Sequence, residues 1–136
     1  MAINTKIFTI CVLLFSSSVS ATTYYVNGDG APAVDEAGCG ADGDECATIA
    51  YTATNIATST GDIISVENGT YAEAQIVLEP GVSLTSKSQD KLLVTILPVA
   101  DMTPSNPLVL LSTATVNGEG AQTISHVTID GDDGAG

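Results

Sequence analysis

Between residues 61 and 86 the chain reads GDIISVENGTYAEAQIVLEPGVSLTS, a series of short apolar runs, each cut off by a turn residue. Asn68-Gly69 and Pro80-Gly81 are each followed at once by another β-branched run, a pattern that predicts short strands joined by corners and not a hairpin meander. Similar runs continue the rhythm at 93–97, 108–112 and 124–131, so the chain reads as a solenoid. Taking Ile63, Val82, Leu108 and His126 as equivalent strand starts gives steps of 19, 26 and 18 residues, a mean of 21. One coil of short strands and corners fits that length. The longest step contains residues 101–107, DMTPSNP, whose prolines predict an outward loop. Interior positions are Ile, Val and Leu with few aromatics, as a narrow coil core requires. A β-sandwich, the competing architecture, needs longer strands with polar alternation and hairpin turns.

Ahead of this region the period changes. Residues 22–26, TTYYV, predict an opening strand, and residues 27–45 are too polar and too broken by Gly and Pro to form a core. Residues 47–58 place Ile49, Ala53 and Ile56 at i, i+4 and i+7, with Ala50 and Ala57 beside them, which predicts an amphipathic helix. Cys46 or Thr48 stands near its start and Gly61 follows its end. Its threonines lower intrinsic propensity, so the helix must pack on something, and the open end of the coil is the surface that needs cover.

Taken together, the order is a Tyr-Tyr-Val strand, an Asp/Gly/Cys loop, a helix opening Ala-Thr-Ile, Gly61-Asp62-Ile63-Ile64-Ser65-Val66, and Gly69-Thr70-Tyr71-x-Glu73. Gly81-Val82-Ser83-Leu84 and Ile124-Ser125-His126-Val127-Thr128-Ile129-Asp130-Gly131 follow. That order resembles the N-terminal part of secreted right-handed parallel β-helix proteins, the pectate-lyase-like superfamily in its broad sense. The resemblance runs from residue 22 to the end, and its most specific part is the Gly-Thr-Tyr segment. It implies an all-β fold, a right-handed parallel β-helix with an N-terminal capping helix. It does not select among the lyases, hydrolases, epimerases and adhesins that share such a fold.

Composition adds a compartment and a charge. Residues 1–21 have the parts of a secretory leader: Lys6, an apolar run from Ile7 to Phe15, and Val19-Ser20-Ala21 before the expected cut. That apolar run is well short of the roughly 20 residues that span a bilayer, so no membrane span is expected in the mature chain. Residues 22–136 then make one domain, the N-terminal portion of a β-helix. The formal net charge is −13, arginine is absent, and removal of Lys6 leaves Lys87 and Lys91 against 16 carboxylates. Nucleic acid is excluded as a partner on this charge, and bare polyanions are disfavoured unless a divalent cation bridges them. In an oxidising compartment Cys39 and Cys46, close together across a glycine-containing loop, most simply form a local disulfide. Zinc is the weaker reading because His126 is the one histidine and lies far away in sequence.

Candidate chemistry is sparse. The resemblance implies that a lyase would neutralise a uronate carboxylate with a cation and remove a proton with Arg or Lys. Only Lys87 and Lys91 are available for this, both in a turn where solvated lysines are the rule. Aspartates from neighbouring coils would serve a hydrolase, whereas Asp130, Asp132 and Asp133 fall on one strand and its turn. Those three are a candidate Ca²⁺ site if a neighbouring strand supplied further oxygens. Asp42, Asp44 and Glu45 could also hold calcium, but a solvated acidic turn is the expectation. His126 is expected on an outer strand face with Thr128, with Val127 and Ile129 inward. Asn68-Gly69-Thr70 has the form of a glycosylation sequon and equally of a turn.

The expectation is an exported, secreted or cell-surface β-helix protein, the front of a longer polysaccharide-binding or lyase-like polysaccharide-degrading chain whose catalytic strands lie beyond Gly136. The alternative is a non-catalytic adhesive β-helix whose sheet is itself the interaction surface.

Overall fold

The computed structural model describes residues 20–28, 33–100, 107–112 and 120–131. Along the chain come β1 (Thr23–Val26), the helix α1 (Ile49–Asn55), β2 (Ile63–Val66), β3 (Gly69–Glu73) and β4 (Ile76–Leu78). There follow β5 (Ser83–Ser86), β6 (Val94–Pro98), β7 (Val109–Leu111), β8 (Thr123–Ser125) and β9 (Thr128–Ile129). The protein is mostly β, and its strands pair in parallel throughout.

Three sheets result, ordered β1-β2-β5-β8, β3-β6-β9 and β4-β7. Strands β2, β3 and β4 each enter a different sheet, and β5, β6 and β7 repeat that assignment in the same order. Parallel partners cannot be joined by a hairpin, so the chain must travel through the other sheets before it returns. In the first sheet Tyr24, Ile64, Leu84 and Ile124 stand opposite one another in register. Ile64 and Leu84 are fully buried, and Tyr24 and Ile124 pack against the same core. Alternation along a strand therefore sends the intervening row outward.

The expected helix forms as α1, shorter than residues 47–58. Thr48 is its N-cap, with Oγ1 accepting from Tyr51 N at 3.2 Å. At the other end Ile56 N and Ala57 N both donate to Thr52 O, and this shared acceptor closes the helix before Thr58. Ile49, Ala53 and Ala57 are buried on the apolar stripe, which packs on β4, β2, β1 and β3. Cys39 and Cys46 are joined, with Cα atoms 5.0 Å apart. The loop they close runs along the free edge of β1, where Tyr25 N donates to Gly40 O and Cys46 N to Tyr25 O. An edge that would otherwise offer unpaired backbone groups is thereby covered.

Even spacing misplaces several strands. Ile63 pairs with Ser83, not Val82, a shift that sets Leu84 rather than Ser83 against Ile64 in the core. Leu108 does not continue this sheet: the strand after it, β7, pairs with β4, and Thr123 is the partner of Ser83. Counting residues from run to run cannot tell which sheet a run enters, because the connections vary in length and the runs are alike in composition. His126 is not within a strand. It has φ 56° and forms the corner between β8 and β9. Ile129, expected inward, is in register with Ile96 but 44 % exposed, since it lies in the outermost strand of its sheet among the described residues. No helix among the described residues is long and apolar enough to cross a membrane. Most of the expected leader, residues 1–19, lies outside the described residues.

Candidate functional site

Lys87 follows β5 at its corner and is held by two carboxylates. Its ammonium donates to Glu67 and, at 3.2 Å, to Asp42, and it sits 4.9 Å from the centre of the Tyr25 ring. The hydrogen bonds to Glu67 and then Asp42 raise its pKa well above the usual lysine value. A lysine tied down in its charged form is unsuited to take a proton from carbon. Lys91 stands apart from it, its carbonyl accepting from Thr128 Oγ1 at 2.8 Å.

His126 is exposed at its corner, with Nδ1 3.4 Å from Thr85 Oγ1. Of the candidate calcium trio Asp130 is described and exposed, and Asp132 and Asp133 lie outside the described residues. Among the described residues no three His, Cys, Asp or Glu side chains are grouped to hold a metal. That includes Asp42, Asp44 and Glu45: Asp42 pairs with Lys87, and Glu45 Oε1 accepts from Gly43 N at 3.0 Å.

A cleft of about 240 Å³ opens between α1 and β3, lined by Gly28, Ala47, Thr48, Thr70, Tyr71, Ala72 and Glu73. Glu73 is 2 % exposed, and burial, opposed by amides and abetted by Asp35, raises its pKa above 4.5. Its two oxygens accept from Ile49 N at 2.7 Å and Ala50 N at 3.1 Å. Asp35 takes the preceding amides, Ala47 N at 3.0 Å and Thr48 N at 2.9 Å, and the Thr48 hydroxyl at 2.8 Å. Together with the Thr48 cap, these carboxylates satisfy successive amides from Ala47 to Tyr51, the donors that a helix start leaves unpaired. The two acids are thus engaged in folding. In the sequence Glu73 is visible only as part of the Gly-Thr-Tyr segment, because nothing local tells an inward glutamate from an outward one.

The outward row of the first sheet has a different character. Register sets Tyr25, Ser65, Thr85 and Ser125 side by side, and beside them Thr23, Ile63, Ser83 and Thr123. Seven of these eight side chains carry a hydroxyl and none is ionisable near neutrality. Strand geometry spaces the ranks about 4.8 Å apart and the two rows about 6.6 Å apart. Ser125 Oγ donates to Thr85 Oγ1 at 3.1 Å, so one end of the ladder is internally bonded. Ser65 is 6 % exposed, sunk between Tyr25 and Thr85, and its hydroxyl has no partner among the described residues. That hydroxyl is therefore not fully enclosed, since among the described residues no fully enclosed side-chain oxygen or nitrogen lacks a partner. The second sheet carries a shorter ladder, Thr70, Thr95 and Thr128. The sequence showed these hydroxyls one by one, but only the register aligns them.

Comparison with family models, curated proteins and solved structures finds no match to this chain.

Proposed function

We propose that this chain is the N-terminal part of an exported right-handed parallel β-helix capped by α1, and that the outer face of its first sheet binds polysaccharide. The repeated allocation of successive strands to the same three parallel sheets supports the coil. The Cys39–Cys46 disulfide is compatible with export. The observation that carries the binding role is the hydroxyl ladder on β1, β2, β5 and β8. A rigid parallel sheet holds donors and acceptors at fixed intervals along one direction, which suits a polymer with its own repeating hydroxyls. Binding, not cleavage, is the role assigned to this face, since Lys87 is held protonated by its carboxylate partners.

The test is co-sedimentation of the purified exported chain with a panel of insoluble polysaccharides. Retention by at least one polymer is expected, with Ser83→Lys, a bulky charge on the outer row, weakening it about tenfold, the equivalent of one lost polar contact. Failure to bind any member of the panel, or binding that is unchanged in Ser83→Lys, removes this assignment.

A further inference from the structure

We infer that the polymer taken by this face is a neutral, hydroxyl-rich polysaccharide and not a polyuronate, an inference that rests on the polysaccharide-binding role proposed above. The chain carries 16 carboxylates, yet none falls on the eight outward positions of β1, β2, β5 and β8. Among the described residues the one lysine at the margin of the face is Lys87, over Tyr25, already shared between Asp42 and Glu67, and the exposed His126 meets the ladder only at Thr85. That margin is therefore net negative. A uronate would bring a further carboxylate to that negative margin, where the lysine is already shared between two carboxylates.

Ser65 supplies the second, independent observation. Its hydroxyl is nearly enclosed between Tyr25 and Thr85, aims outward, and has no partner among the described residues. A serine hydroxyl offers one donor and two acceptor positions. The hydroxyls of a sugar unit both give and receive, so Ser65 points to a sugar hydroxyl as its partner, and the charge of the margin selects the neutral polymer. The neighbouring Tyr25 ring and Ile63 provide apolar surface for the carbon face of a sugar between the polar contacts. Contacts between neutral groups are little affected by salt screening, so the binding is insensitive to ionic strength.

The experiment measures retention of the whole chain by neutral polymers, cellulose and mannan, and by the polyuronates alginate and polygalacturonate, each at low and high salt, with and without calcium. Binding to a neutral polymer that persists at high salt, and that Ser65→Ala weakens about tenfold, is the expected result. Ser65→Ala removes only an unpartnered hydroxyl, so the circular dichroism spectrum stays unchanged; Ser83→Lys serves as a second probe if it does not. Retention on polyuronates alone, abolished by salt, overturns the neutral ligand while leaving the polysaccharide role intact. Failure on all four polymers overturns both. Undiminished neutral binding in both variants places the ligand elsewhere on the chain and overturns the inference.

Discussion

Glu73 Oε1 accepts the backbone N–H of Ile49 at 2.7 Å, so a buried carboxylate on β3 holds the first turn of α1 across 24 residues of sequence. The helix is short and rich in threonine, and its stability comes from this anchoring and from its buried stripe, not from propensity. Glu73→Ala leaves two amides without their acceptor and is expected to destabilise the chain by about 2–4 kcal/mol. Glu73→Gln keeps one accepting oxygen and is expected to lose less. Urea unfolding followed by circular dichroism checks both, and an Ala variant as stable as the parent would contradict the anchoring role.

The same residue sets an unusual pH response. Burial raises the Glu73 pKa above its ordinary 4.5, so the folded state favours the protonated acid more than the unfolded state does. The stability from this group is full below pH 4.5 and is lost as pH rises through the folded pKa. In that window the parent is expected to lose stability relative to Glu73→Gln as pH increases. Paired urea titrations across it read the difference directly, and a difference of opposite slope would refute the reading.

Reduction of the Cys39–Cys46 bond, or its replacement by two serines, is expected to cost about 2.5 kcal/mol, the loop-closure value for so short a span. A second effect follows from position. The bonded loop lies on the outer edge of β1, and its release opens backbone groups to pairing with other chains. Sedimentation velocity should therefore show concentration-dependent association on reduction; a monomer of unchanged stability would argue against both effects.

Gly81 turns the chain into β5 with φ +78°, and a Cβ there would lie 2.7 Å from Thr60 Cγ2 and 3.0 Å from Thr60 Cα. Gly81→Ala is expected to cost about 1–3 kcal/mol from backbone strain, with the overlap against Thr60 adding to it. Thermal unfolding of the variant measures the loss, which should be larger than for Gly43→Ala, where a Cβ meets nothing within 4 Å. Equal losses would mean that packing against Thr60 does not matter.

Much of the local architecture was legible in the residues. Strands β1 and β6 and the helix lie near where the residues place them, and the run 61–86 breaks into short strands at its turn residues, because those signals arise from contacts near in sequence. The disulfide followed from spacing. Harder to read were the placement of β7 in the third sheet and the corner at His126, since both depend on turn lengths summed over the preceding chain.

A β-rich chain with a short helix, a closed cysteine loop, strong acidity and a shortage of catalytic cations could all be read from the residues in order. Folding alone pairs Lys87 with Asp42 and Glu67, turns Glu73 inward beneath α1, and sets Ser65 between Tyr25 and Thr85. Parallel pairing is the cause. It brings together residues 20 to 40 positions apart through register, and a shift of one residue would send every side chain of a strand to the opposite face.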